Sequence, residues 1–203
     1  PLYSSAASDV YKRQMLLLIV GIPSFAQKGQ IELSLYGGSL SYHKTENSYY
    51  GTFSSGFELG FQSKYFLTNR VFWAVDLFGG TDDGTENKIS TQGGDRILSL
   101  SRRDYSVTTG VGVNFVATKR LQAYIQALGG VGRVEGYTSD YISEKVGFER
   151  NDLNKTSYLL SAGIGIDLSI SKNWKIGGGY SFRYLGDVDG SHAIFARISY
   201  VIP

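Results

Sequence analysis

An all-β fold is what this sequence predicts, with eight antiparallel strands running up and down and closed into a barrel. Three observations predict it. From Gln30 almost to the C-terminus apolar residues alternate with small or polar ones at period two, and no window keeps a 3.6-residue period. Short polar turns alternate with longer polar segments along the chain. One face of every strand is also free of charge through its middle.

Composition narrows the class. At 203 residues the chain fits one domain. Its 26 Gly and 15 Tyr, against three Pro and one Met, suit many strands whose backbones approach closely. A net charge of +2 with no dense Lys/Arg run gives no footprint for nucleic acid. Cysteine is absent, which excludes disulfides, thiolate metal sites, a Cys nucleophile and an acylated Cys anchor.

The start of the chain is read separately. Residues 1–14 (PLYSSAASDVYKRQ) match nothing that follows and read as non-native adapter read-through. Residues 15–26, from Met15-Leu-Leu-Leu-Ile-Val to Ser24-Phe25-Ala26, have the apolar run and small-residue end of a secretory signal. That run is too short to cross a bilayer as a helix, which takes ~20 residues. The barrel domain is expected over 27–203.

The strands follow in order. The first, about 30 to 42, sets Ile31, Leu33 and Leu35 against Glu32, Ser34, Tyr36 and Gly38. The second, about 53 to 66, sets Phe57, Leu59 and Phe61 against Glu58, Gly60, Gln62 and Lys64. The third, about 70 to 80, sets Val71, Trp73, Val75 and Leu77 against Ala74 and Asp76, with Phe72 and Phe78 blurring the pattern. The fourth, about 103 to 117, sets Tyr105, Val107, Val111 and Val113 against Ser106, Thr108, Gly110 and Gly112. The fifth, about 121 to 134, sets Ile125 and Val131 against Gln122, Tyr124 and Gln126. The sixth, about 156 to 170, sets Leu160, Ile164 and Ile166 against Ser161, Gly163, Gly165 and Asp167. The seventh, about 174 to 185, sets Trp174, Ile176, Tyr180, Phe182 and Tyr184 against Lys175, Gly177, Ser181 and Arg183. The last, about 192 to 202, sets Ile194, Ile198, Tyr200 and Ile202 against Arg197 and Ser199.

Short turns follow strands two, four and six at 67–70, 118–120 and 171–173. Longer polar loops are expected at 43–52, 81–102, 135–155 and 186–191. All the short turns thus share one end of the sheet with both termini, and the loops share the other.

The polar face decides which side is wet. A soluble barrel would carry Lys and Glu there, yet it is Gly, Ser, Thr, Asn and Gln with charges of both signs. Small residues suit a narrow interior. Buried charges persist only when paired. An interior ion-pair network is therefore expected among Glu32, Glu58, Asp76 and Asp167 and Lys64, Lys175, Arg183 and Arg197. A Lys or Arg on the other face would cost ~2–4 kcal/mol at a bilayer midplane, and none is found mid-strand. The apolar face should therefore meet lipid, making the barrel transmembrane. Two aromatic girdles support that reading. Tyr65, Phe66, Trp73, Phe115, Trp174 and Tyr200 fall near the short turns, and Tyr42, Phe53, Tyr105, Tyr158 and Tyr184 near the loops.

With Gly110-Val-Gly-Val-Asn-Phe115, Gly163-Ile-Gly-Ile-Asp-Leu168 and Gly177-Gly-Gly-Tyr-Ser-Phe-Arg-Tyr184 in register across 27–203, the chain resembles the OmpA/OmpX-like small outer-membrane β-barrel families. The resemblance implies a Gram-negative outer membrane, outer-membrane lipid and lipopolysaccharide around the barrel, and insertion by the barrel assembly machinery. It implies periplasmic termini and extracellular loops. Such barrels usually end on an aromatic residue, whereas this chain ends Tyr200-Val-Ile-Pro203.

Catalytic, cofactor and metal signals are thin. His43 and His192 both lie near the loop end. Ser191 and His192 are adjacent, so on a strand they point to opposite faces and make a poor nucleophile–base pair. Some outer-membrane lipid A deacylases of this architecture do use a rim Ser and His, which keeps a lipid-modifying enzyme as the alternative. Asp82-Asp83-Gly84-Thr85-Glu86-Asn87 and Asp187-Val188-Asp189-Gly190 lack the spacing of a Ca²⁺ loop and fit turn chemistry. The function expected is a non-enzymatic barrel, envelope-structural or surface-interacting, with the 81–102 and 135–155 loops offered to an unidentified extracellular ligand. A narrow channel or a soluble ligand carrier ranks lower.

Overall fold

The computed structural model describes residues 28–42, 55–83, 87–91, 94–142, 147–186 and 188–202. Among the described residues, nine antiparallel strands form one sheet: β1 (Ile31–Tyr42), β2 (Gly56–Phe66), β3 (Val71–Asp83), β4 (Asn87–Thr91), β5 (Gly94–Ala117), β6 (Leu121–Ile142), β7 (Gly147–Ser169), β8 (Trp174–Leu185) and β9 (Asp189–Ile202). Eight of them are staves. β1 pairs with both β2 and β9, and β3 pairs with β5, so the sheet closes on itself. Closure leaves the barrel wall without an edge. β4 stands outside the ring, paired only with the start of β5.

Alternation sets the faces as the pleat requires. Glu32, Ser34, Tyr36, Leu40 and Tyr42 of β1 are buried, and Ile31 and Leu35 face out. The short turns are built alike. Thr68, Thr118 and Ser171 each place a hydroxyl three residues before a strand begins, and it accepts the first strand N–H: Val71 at 2.9 Å, Leu121 at 2.9 Å and Trp174 at 3.1 Å. A hydroxyl that caps its own turn in this way starts the return strand without a special backbone. The register shifts between Asn114 and Val116, a bulge that twists β5 as it enters its turn.

The other end departs from expectation. The described parts of 81–102 and 135–155 are strand rather than open loop. β5, β6 and β7 are 24, 22 and 23 residues long, about twice β1 or β8 at 12. The β6–β7 ladder runs unbroken from Leu121↔Leu168 to Ile142↔Gly147, and β8 leaves β7 at Leu159↔Leu185. In these segments both faces are polar, so the apolar half of the strand pattern is missing from the sequence. Ladder hydrogen bonds do not require apolar side chains, and the pairing continues above the rim. The 186–191 segment also shrinks. β8 and β9 pair up to Leu185↔Asp189, with Gly186 at φ 30° in the tight turn between them. The expected loop 43–52 and residues 1–27 lie outside the described residues.

Candidate functional site

The interior is the chemically distinctive region, and its wall positions dictate what fills it. All eight charged residues singled out above point inward and are buried. In the tier nearest the short turns, Lys175 Nζ donates to Glu32 Oε2 at 2.6 Å and to Gln122 Oε1 at 2.8 Å. Lys64 Nζ lies 3.3 Å from Glu32 and 3.9 Å from Asp167. Arg197 forks onto Asp167 and reaches Glu32 at 3.6 Å. Tyr124 lies between two cations, with Lys64 Nζ 3.9 Å and the Arg197 guanidinium 4.5 Å from its ring centre.

Gln62 links this tier to the next. It accepts from Arg197 Nη1 at 3.3 Å and donates to Asp76 at 3.5 Å. Asp76 also accepts the Tyr36 hydroxyl at 3.0 Å, so its hydrogen-bond donors are neutral side chains, with the Arg183 charge acting on it from nearby. Arg183 Nη1 meets Glu58 Oε2 at 2.5 Å, and its guanidinium lies 4.0 Å from the Phe78 ring centre.

Aromatic rings need room, and glycines on the next strand supply it. The Tyr36 ring lies across Gly60 and the Tyr124 phenol across Gly165, where a Cβ would collide. Phe66, Phe72, Ala74, Tyr124 and Leu128 form an apolar cluster at the short-turn end. Leu40, Tyr42, Phe78 and Ala193 form one higher up, and Val134, Leu159 and Leu185 another. A cavity bounded by Arg102, Asp104, Arg183, Leu159 and Ser191 is about 10 Å³, room for a single water at most. Among the described residues the interior side chains pack into these clusters and ion pairs.

The outer surface is the reverse. Leu35, Leu59, Ile166 and Ile194 are 53–70% exposed, while Glu32 and Glu58 are fully buried. Of the girdle residues, Tyr65, Trp73, Phe115, Trp174 and Tyr200 face outward near the short turns, with Trp174 and Tyr200 edge-to-face at 5.0 Å. Tyr105, Tyr158 and Tyr184 face outward at the opposite end.

No family model and no curated protein matches the sequence. Solved structures do match the fold. Ail, the attachment invasion locus protein of Yersinia pestis, aligns at TM-score 0.52 and 17% identity over 87% of this chain and 100% of its own. Neisserial surface protein A aligns at 0.52 and 16%, over 86% and 97%. OprG, an outer membrane protein from Pseudomonas aeruginosa, aligns at 0.54 and 11%, over 87% and 97%. The fold is that of the small outer-membrane β-barrels. At these identities the likeness concerns the fold alone.

Tyr42 is not a girdle residue: it is buried inside, with the Arg102 guanidinium 4.0 Å from its ring centre. Phe66 is likewise internal, 5.8 Å from Phe72. Both sit at inward positions of an unbroken period, and position on the pleat overrides side-chain preference. Phe53 lies outside the described residues, as does His43.

A further tier lies above those expected from the sequence. Arg102 pairs with Asp104 through Nε at 2.8 Å and Nη2 at 3.1 Å, and Asp82 is buried in the same tier. Its sequence signal is that Arg102, Asp104, Ser106 and Thr108 keep period two, and β5 begins at Gly94 rather than at the expected 103. Ser191 is buried inside while His192 turns outward beside Tyr180 and Phe182, with ring centres 6.2 and 6.3 Å away. The strand separates the two residues onto opposite sides of the wall. Asp83, Asp187 and the aromatic residues Tyr137, Tyr141 and Phe148 have side chains outside the described set.

Proposed function

We propose that the chain is a non-enzymatic integral outer-membrane barrel, sealed at its core, that holds a β-ribbon at the cell surface for a partner. The observation that carries this reading is the inversion of the molecule: a ring of exposed Leu, Ile, Val and aromatic side chains encloses buried, mutually paired charges. Water cannot stabilise such an outer surface, and lipid does. Eleven to thirteen residues per short stave suffice to cross the hydrocarbon, which takes ~9–11 tilted residues. The extra ten or so residues of β5, β6 and β7 carry the sheet roughly 30 Å past that level at ~3.3 Å per residue.

The ribbon supports a contact role because it is preformed. A partner would meet ordered strands, with less ordering entropy to overcome than for a loop of the same length. The edge of β7 from Gly147 to Tyr158 has β6 on one side and no stave on the other. The filled interior argues against a channel, and the separation of Ser191 from His192 argues against a rim hydrolase.

Two measurements test this. Refolded into detergent, the mature barrel should migrate differently on SDS gels before and after boiling. On intact cells, protease should cut within 137–152. A protein that remains soluble without detergent and shows no heat shift refutes the barrel reading. Cleavage only after the outer membrane is breached refutes the surface role.

A further inference from the structure

The end of the barrel that carries the short turns also carries one sign of charge. Lys28, Arg70, Lys119, Arg120 and Lys172 are all exposed there. The segments that hold them, 28–30, 67–70, 118–120 and 171–173, contain no Asp or Glu. The opposite end mixes signs, with Arg103, Arg133 and Lys155 against Glu135 and Asp152.

Backbone hydrogen bonds seat these segments on the ring at one level. The Arg70 carbonyl accepts from Asn114 N at 2.8 Å, and the Arg120 carbonyl from Ser169 N at 2.8 Å. Asn173, next to Lys172, accepts from Val201 N at 2.7 Å, and Gly29, next to Lys28, donates to the Phe66 carbonyl at 2.9 Å. Around the ring the segments stand about two staves apart, roughly 10 Å at ~4.8 Å per stave. That spacing is close to the ~8 Å Debye length at physiological ionic strength, so neighbouring charges reinforce one another as a belt. Beneath the rim, the buried tier has the same sign in excess, with Lys64, Lys175 and Arg197 against Glu32 and Asp167. Its surplus is little screened and adds to the field at the rim.

The rings beside the cations point to the partner. Trp73 stands three residues after Arg70 and Trp174 two after Lys172, and both face outward, as do Tyr65, Phe115 and Tyr200 at the same end. Such rings settle at the bilayer interface, which puts cations just beyond them at the depth of headgroup phosphates. A basic residue near an anionic bilayer surface gains about fivefold in partitioning.

We propose that the short-turn rim is a docking surface for anionic phospholipids, which it selects over zwitterionic ones in the leaflet it faces. The selectivity is the sum of separate headgroup contacts around the belt, and it needs no two cations to meet on one phosphate. The site rests on the outer-membrane reading above, since the rim meets headgroups only if the apolar band is in lipid.

The chain's two tryptophans make the test local, because Trp73 and Trp174 lie beside Arg70 and Lys172. The refolded barrel is placed in vesicles that mix phosphatidylglycerol with phosphatidylcholine, one or the other brominated, and quenching of tryptophan fluorescence gives the relative binding of the two lipids. Both leaflets hold the same mixture, so the direction of insertion does not matter. Wild type should favour phosphatidylglycerol about fivefold at low salt. The preference should fall towards one in ~1 M salt, where the Debye length is ~3 Å. Arg70→Gln with Lys172→Gln should bring it close to one at low salt, and Arg103→Gln with Arg133→Gln, at the other end, should leave it at the wild-type value. A low-salt ratio of one in wild type overturns the proposal, as does a ratio that neither salt nor the short-turn variant changes. The salt series on wild type decides the matter alone if that variant does not fold. A ratio of one together with sedimentation on insoluble cell-wall polymer would assign the rim to that polymer and reject the lipid claim. A heat-shift gel on the same wild-type sample separates the two readings: with the shift present, failure belongs to the rim alone, and without it the barrel reading falls first.

Discussion

Replacing Glu32 with Gln removes one charge from the barrel interior and almost no volume. Glu32 is fully buried and lies within 2.6 to 3.6 Å of Lys175, Lys64 and Arg197. In that tier three cations face two carboxylates, and the variant leaves three cations facing Asp167 alone. Breaking a buried ion pair from one side costs about 3–5 kcal/mol because the remaining charges are stranded away from water. That is a rise of roughly two to four powers of ten in the unfolding constant. Adding Lys175→Met removes one of the two surplus cations and should restore about half the loss. The assay is a urea titration in lipid bilayers read by tryptophan fluorescence. Trp73 and Trp174, the chain's two tryptophans, both face outward at the short-turn end, so they report on lipid contact. A loss below about 1 kcal/mol would mean that water solvates these charges one by one. The argument for a sealed core would then be wrong.

Three further outcomes follow from local geometry. Gly165→Ala should destabilise the barrel by about 1–3 kcal/mol, since its Cβ would strike the Tyr124 phenol, while Gly79→Ala should lie within about 0.5 kcal/mol of wild type; equal effects in the same titration would refute the packing account. Thr118→Val should cost about 1 kcal/mol, because the hydroxyl both accepts the Leu121 N–H at 2.9 Å and donates to the Leu121 carbonyl at 3.0 Å, and Thr118→Ser should restore it. Ile164→Lys puts a charge on the exposed apolar face at mid-strand and should cost about 2–4 kcal/mol in bilayers, with refolding yield falling in step.

How much was legible in the sequence depended on which face carried the signal. Where one face is apolar and the other polar, as in Leu160 to Leu168 or Trp174 to Tyr184, strand and face both follow from period two. The inward direction of Glu32, Lys64, Asp167 and Arg197 came from the same count. Their specific partners did not, because register between distant strands such as β1 and β8 is set by closure of the whole ring. Lys175 meets Glu32 across 143 residues of chain. Legibility failed at the rim, where both faces become polar and the apolar half of the pattern disappears. Arg102 and Asp104 lie there, and so does Tyr42, whose amphipathic ring suits a girdle while its position on the pleat turns it inward. Nor does sequence periodicity reveal the small cradles at Gly60 and Gly165, since the ring and the glycine lie on different strands.

The charged interior also bears on how the chain finds a single register. Buried ion pairs are weak contributors to stability, and apolar replacements of both partners are often neutral. Their stronger effect here is on alternatives. A slip of one residue turns a stave inside out, moving Glu32, Lys64 or Arg197 into lipid at ~2–4 kcal/mol for each basic group. An all-apolar interior would leave the two faces of each strand nearly equivalent. Glu58 and Arg183 allow the distinction to be tested, because they face each other at 2.5 Å on separate strands. Either single change, Glu58→Met or Arg183→Met, should lose about 3–5 kcal/mol. The double change should return to within about 1–2 kcal/mol of wild type, yet give a lower fraction of heat-modifiable barrel on refolding, because one barrier to misregister is gone. A double variant that refolds as completely as wild type would show that the turns and the apolar face already fix the register without it.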